Sequence, residues 1–296
     1  MKKLLLILLC LPMVVLAQQT YVPDDNFEAY LEGNVWGDGF MNDSVPTSVI
    51  SSLTQIDLDG LNIANLTGIE DFSSLDHFSC RNNYLTNIDL SSNISLTTLH
   101  CSDNPITTLD VSNNIALVEI LCENNQLTNL DISNNIALRS LYCQNNQLTS
   151  LDISNNADLV KLLCRYNQLN CIDISNHPNL EELDCRNNNL EQLNIRNGYW
   201  WLLEIYATNN NLTCIEVDDV SYANLNWTNY FDNSVSFSTN CNYTNPCVNV
   251  TTIKEHSTNK ELLKVTDILG RETKQTNQPL LYLYDDGTVE KRIVIE

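Results

Sequence analysis

The chain has 296 residues, with 37 acidic against 15 basic side chains and a formal net charge of -22. An excess of that sign repels phosphate backbones and sets nucleic acid aside as a partner class. Eight glycines and seven prolines are too few for a linker-rich or disordered chain.

Residues 1–17 open on Lys2 and Lys3, followed by an apolar run and then Ala17 before Gln18. This is the pattern of a cleavable secretory signal, with the cut between Ala17 and Gln18. The apolar run is too short for a comfortable span, and Leu9 makes Cys10 a poor lipidation site. No transmembrane segment is expected in the mature chain. From Gln18 to Val248 there are six basic residues (Arg81, Arg139, Lys161, Arg165, Arg186, Arg196) against 29 acidic ones, whereas the last 48 residues hold seven against eight. In residues 18–52, Asp24 or Asp25 is placed to N-cap a short helix through Leu31 and so close one end of a core. The stretch GDGFMND is faintly like a calcium loop, but its carboxylate spacing does not fit the EF-hand pattern.

A repeat follows. Leucines at 53, 75, 96, 117, 138, 159, 180 and 202 open units of 21 or 22 residues, written L-x-x-L-x-C-x-x-N-x-L-T-x-L-D-I-S-x-N-x-x. Such a period reads as a solenoid. The segments LxCxxN and LDISxN share one template, which predicts two short strands per turn, each alternating inward and outward. Two columns of asparagine run in phase: Asn83, Asn104, Asn125, Asn146, Asn167, Asn188 and Asn210, then Asn93, Asn114, Asn135 and Asn156. Buried backbone groups at a corner need partners, and an amide both donates and accepts, so these columns are architectural. Cys80, Cys101, Cys122, Cys143, Cys164 and Cys185 stand two residues after an inward position, with Ala207 in the next slot. In-register side chains point the same way, so the column is expected as buried free thiols, with neither disulfides nor a metal site. The outward Asp89, Asp110, Asp131, Asp152 and Asp173 form a carboxylate ladder that could attract cations or satisfy turn N–H groups, and the second reading is favoured.

These motifs resemble a bacterial leucine-rich-repeat protein of the 21-residue nested-repeat type, with a first turn closer to the 22-residue internalin-like pattern. The resemblance covers roughly residues 53–220. It implies a mainly β solenoid or horseshoe of about eight turns with little helix, plus a small C-terminal β-domain. The segment before the repeats resembles the N-terminal cap of such proteins in Bacteroidetes-type bacteria. The tail, with LGRE and YDDGTVEKRIVIE, resembles the C-terminal sorting domain of the type IX secretion system, in a form without the upstream PNP element. Its DDG hairpin signal and alternating apolar residues predict strands. The expected domains are a signal at 1–17, an N-terminal cap at 18–52, repeats at 53–222, a C-terminal cap at 223–248 and the sorting domain at 249–296.

Comparison of turns within the chain locates the candidate function. The second strand is nearly constant, while the outward positions of the first vary around the cysteine. Before it stand Ser79, His100, Leu121, Tyr142, Leu163, Asp184 and Tyr206; after it stand Arg81, Ser102, Glu123, Gln144, Arg165, Arg186 and Thr208. A constant inside and a varied, aromatic and arginine-bearing outside read as a recognition surface. The predicted ligand face is His100, Leu121, Tyr142, Leu163, Arg165, Arg186 and Tyr206, taking a protein or glycan and leaving its apolar members exposed. Tyr199, Trp200 and Trp201 lie near one end of it, stacking on a sugar or packing under the cap. His177 replaces an asparagine of the second column. No catalytic set, phosphate loop, cofactor motif or metal spacing is present in the sequence. Trp227, Tyr230 and Phe231 are expected to cover the last turn. A cap disulfide Cys214–Cys241 is expected there, with Cys241–Cys247 as rival; Cys171, two turns before Cys214, is too far from it to bridge.

Overall fold

The computed structural model describes residues 18–198, 204–243 and 247, and the backbone of 262–267, 279–284 and 289–293. The signal segment, the 17/18 cut and Tyr199, Trp200 and Trp201 fall on or against residues outside that set. The chain divides into two compact units, residues 1–248 and 249–296.

The first unit is a leucine-rich-repeat β-solenoid of about nine turns with little helix. Its first sheet holds eight parallel three-residue strands in spatial order: Gln55–Asp57, His77–Ser79, Thr98–His100, Glu119–Leu121, Ser140–Tyr142, Lys161–Leu163, Glu182–Asp184 and Glu204–Tyr206. Leu99 pairs with Ile120, and Ile120 with Leu141, so equal repeat positions stack in register. Each inward side chain is therefore covered by its own counterparts, and Leu99, Ile120, Leu141, Leu162 and all six ladder cysteines are completely buried. The register explains why one composition recurs at one phase.

After the cysteine the chain turns through a left-handed residue: Asn82, Asp103, Asn124, Asn145, Tyr166, Asn187 and Asn209 all have φ between 53 and 60°. Asparagine and aspartate tolerate that region better than other side chains. The next asparagine ties the corner together. Asn125 Nδ2 donates to the carbonyls of Cys101, Cys122 and Glu123 at 3.1, 3.0 and 3.3 Å, and its Oδ1 accepts from the Ile106 N–H at 3.1 Å. In the second column, Asn114 Nδ2 donates to the carbonyls of Leu90 and Asn93 at 3.0 and 2.9 Å. His177 preserves the first of these bonds, with Nε2 3.0 Å from the Ile153 carbonyl. A carbonyl can only accept, so Nε2 carries the proton, and Nδ1 is left buried without a partner.

The outward carboxylates close the turns, as the sequence reading favoured. Asp89, Asp110, Asp131, Asp152 and Asp173 each accept the N–H of the serine two residues on, at 2.9 to 3.0 Å.

The expectation of two strands in every turn needs correction. A second sheet forms only at one end, from Cys171–Asp173, Gln192–Asn194, Cys214–Glu216 and Ser236–Ser238. Pairing on both sides of every turn requires a straight stack. Pairing on one side alone lets the other side splay. The ninth turn comes from Ser236–Ser238, in a segment without the leucine motif.

Both ends of the core are closed. Asp24 caps the helix Asp25–Gly33 through the N–H groups of Asn26 and Phe27, at 3.0 and 3.1 Å. Its other oxygen accepts from Ala64 and Asn65 N–H at 2.8 and 3.0 Å, which fastens the helix to the first turn. The helix runs two residues beyond Leu31. Carboxylates of that helix also hold the GDGFMND loop: Glu32 accepts from Asp38 and Gly39 N–H, and Glu28 from Asn42 and Ser44 N–H. At the far end Trp227 and Phe231 are buried over the last turn, while Tyr230 is 40% exposed.

Two disulfides lie against the second sheet, Cys214–Cys241 and Cys171–Cys247, with Cα separations of 5.8 and 5.6 Å. The first is the expected bridge; the rival Cys241–Cys247 does not form. Cys171 does not reach Cys214, but the returning cap brings Cys247 to it. The smaller unit contains a three-stranded antiparallel sheet, Leu262–Asp267, Pro279–Tyr284 and Val289–Ile293.

Candidate functional site

The outward side of the eight-stranded sheet carries three parallel columns, two on the strands and one just after the cysteine. Leu121, Tyr142 and Leu163 are in register on adjacent strands. They are half-buried rather than exposed, which corrects the expectation of a fully outward apolar stripe. Strands about 4.8 Å apart bring such side chains into mutual contact, so each covers part of the next.

Polar groups flank this centre on both sides. On one side His100 Nε2 lies 2.8 Å from Glu119 Oε1 of the next strand, and its ring meets His77 edge-on at 5.4 Å. On the other, Arg186 grips Asp184 at two points, Nε to Oδ1 at 2.8 Å and Nη2 to Oδ2 at 2.7 Å. This pairing raises the Arg186 pKa further. Arg165 Nη1 stands 3.7 Å from the same Asp184, which is 4% exposed. One buried carboxylate thus faces two guanidinium groups, and the corner retains positive charge on an acidic body. The Arg186 guanidinium also lies over the Tyr206 ring at 5.1 Å, and Tyr206 meets Tyr230 at 5.5 Å. Arg165, Arg186 and Tyr206 are therefore brought together at one end, while His100 sits at the other.

Two features of this face go beyond the predicted residues, of which only Arg165 takes part in them. Ser102 Oγ, Glu123 Oε2, Gln144 Oε1 and Arg165 Nε, on four consecutive turns of the after-cysteine column, are buried without a hydrogen-bond partner. Tyr166 occupies the left-handed position (φ 55°) that asparagine or aspartate holds in the other turns, and it is 52% exposed beside Arg165. It interrupts a rim of amides in which Asn124 donates to Asp103 and Asn145 to Asn124 at 2.8 Å, and Asn209 to Asn187 at 3.0 Å. The sequence carries that signal two residues after the cysteine slot, where one aromatic stands among six Asn or Asp.

The cysteine ladder offers no reactive thiol. Burial pushes all six thiols up, Cys101 and Cys143 to about 12. Among the described residues no group of three or more His, Cys, Asp or Glu converges to hold a metal ion, and no helix is long and apolar enough to cross a membrane.

Comparison with protein-family models gives no match, and neither does comparison with curated proteins. Solved structures do match. The functional domain of InlJ from Listeria monocytogenes, which includes a cysteine ladder, is 27% identical with a TM-score of 0.54; the match covers 68% of this chain and 52% of that domain. The fold is a leucine-rich-repeat solenoid that matches internalin folds. This chain spans about half the length of the InlJ domain. Internalin C2 of the same bacterium shares the fold at 20% identity and a TM-score of 0.59, covering 75% of this chain and 98% of the other. Internalin InlF does so at 23% identity and 0.57, covering 73% and 68%. The leucine-rich-repeat architecture thus rests on fold as well as on motif, and the similar solved structures are repeat solenoids of the same class.

Proposed function

We propose that the chain is a secreted or cell-surface leucine-rich-repeat recognition protein, binding a protein or glycan on the open face of its first sheet. The supporting observation is the half-buried apolar centre Leu121–Tyr142–Leu163 with the Arg165, Arg186 and Tyr206 cluster at one end of it. Arg165 and Arg186 orient an acidic group of the ligand, with Tyr166 and Tyr206 as adjoining ring surfaces. Two disulfides fit an oxidising compartment. No step of this reading calls for catalysis or a cofactor.

The test begins with protein and glycan arrays probed by the chain without residues 1–17. Tyr142→Ser with Leu163→Ser should then weaken the binder found by about 2 kcal/mol or more, the scale of interface hot spots. Asp131→Asn with Asp152→Asn, on the constant side, should leave it unchanged. The reverse pattern would move the site to the other face. A chain that binds nothing on either array supports the alternative, a structural surface protein without a specific ligand. Residues 249–296 are proposed to engage the type IX secretion machinery and to be removed afterwards. Deleting them should trap the repeat unit in the periplasm; normal release without them would remove that assignment.

A further inference from the structure

The most exposed aliphatic side chains of the repeats lie away from the proposed face. Ile94, Ile115 and Ile136 are 61, 62 and 64% exposed and share one repeat position. Each follows a second-column asparagine, at the second position of a β-turn. Asn114 N–H donates to the Val111 carbonyl at 3.0 Å, and Leu117 N–H to the Asn114 carbonyl at 3.1 Å, so two turns run consecutively with Ile115 at the second apex. The turns around Ile94 and Ile136 repeat these bonds.

Neither backbone nor core calls for isoleucine there. The second position of a β-turn suits proline, and the same position carries Ala157 and Pro178 in the next two turns, where the bonds to Asn156 and His177 carbonyls persist. Mostly exposed side chains add little to the core. Three isoleucines nevertheless stand in one column on successive turns. Patches of this kind on soluble proteins mark contact sites.

One β-turn away runs a parallel row of exposed carboxylates, Asp89, Asp110 and Asp131. The bonds from Ser91, Ser112 and Ser133 hold these carboxyls below their ordinary range, so they stay charged. Between the rows, Asn113, Asn134 and Asn155 donate to the carbonyls of Ser91, Ser112 and Ser133 at 3.2 Å, which stiffens the floor. Arg139, three residues past Ile136, lies on the strand side. Residues 18–248 hold six basic against 29 acidic side chains, so a second copy or an anionic membrane meets like charge here. The charge complement is a cationic segment.

We propose that this flank docks a basic, apolar-faced polypeptide segment of another protein, its apolar side chains on Ile94, Ile115 and Ile136 and its Lys or Arg on Asp89, Asp110 and Asp131. The surface is independent of the first-sheet face. The probe is a labelled amphipathic peptide of about 18 residues with leucines at helical spacing and lysines elsewhere, titrated into the full chain by fluorescence anisotropy. A lysine–glutamine peptide of equal charge is the comparison. Ile94→Ser, Ile115→Ser and Ile136→Ser together should weaken binding about tenfold or more with unchanged circular dichroism. Asp89→Asn, Asp110→Asn and Asp131→Asn should weaken it and flatten its salt dependence, because asparagine Oδ1 still accepts the serine N–H. Tyr142→Ser with Leu163→Ser should leave it unchanged. Equal binding by the triple serine variant, or by the lysine–glutamine peptide, overturns the proposal. So does sedimentation showing a dimer of the parent chain that the serine variant dissociates, since the occupant is then a second copy.

Discussion

At the scale of single residues, the repeat offers its own controls, because each position has neighbours in the same environment. His177 stands where the turns before it hold asparagine, and burial lowers its pKa. An unfolded chain then binds more protons than the folded one as pH falls through the unfolded value of about 6.5. Its contribution to stability is complete above that value and is lost toward and below the lowered folded pKa. His177→Asn should therefore melt at a temperature less sensitive to pH between about 7.5 and 5.5 than the parent chain does. Tyr166 is the converse case, a bulky side chain at φ 55°. Tyr166→Asn should raise stability by roughly 0.5–1 kcal/mol by chemical denaturation, while weakening any ligand of the first-sheet face. Equal stability of the two would mean that the rim imposes no strain. Asn125 shows the weight of the ladder: after Asn125→Ala the carbonyls of Cys101, Cys122 and Glu123 keep Asn104, Asn146 and the Asp103 N–H, but the Ile106 N–H loses its acceptor, and stability should fall by about 1–3 kcal/mol.

Elements in this fold are three residues long, so their stability comes from stacking and from what closes the two ends. Asp24 serves as helix cap and as anchor to the Ala64–Asn65 backbone. Asp24→Ala should thus exceed the usual cap loss of about 1 kcal/mol and approach roughly 2. The far end depends on the disulfides, which span 76 and 27 residues. Chain entropy assigns the longer one more stabilisation, about 4.5 against 3.5 kcal/mol. Cys171→Ser and Cys247→Ser should lower the unfolding midpoint alike, and the double variant no further. Additive losses, or a free Cys214 in non-reducing peptide mapping of secreted protein, would contradict the pairing.

On the scale of the whole chain, charge and contacts divide it near Val248. The acidic unit holds the solenoid with both of its caps, and the nearly neutral one holds the antiparallel sheet. Deleting Asn249 to Glu296 should leave the main cooperative transition of the solenoid within a degree or two in calorimetry, since neither disulfide is lost. A large drop would show that the second unit supports the first.

Phase within the repeat was enough to place the leucine, cysteine and asparagine columns inside, because in-register stacking gives every copy of a position the same surroundings. It also favoured turn closure over cation attraction for the carboxylate row, and the structure supplies the serine N–H two residues on as the partner. What depends on distances between turns was decided only by the tertiary structure. Leu121, Tyr142 and Leu163 are half-buried because neighbouring strands shield them, which alternation along one strand does not express. Isoleucines 94, 115 and 136 are exposed because they stand at turn apices, where strand parity says nothing. Cys171 finds Cys247 because Ser236–Ser238 stacks beside Cys214–Glu216 and Tyr243 Oη sits between the carbonyls of Cys214 and Leu193, at 2.8 and 3.1 Å. The chain is folded back across two strands there, and a contact made by that return leaves no mark in the spacing of the repeat.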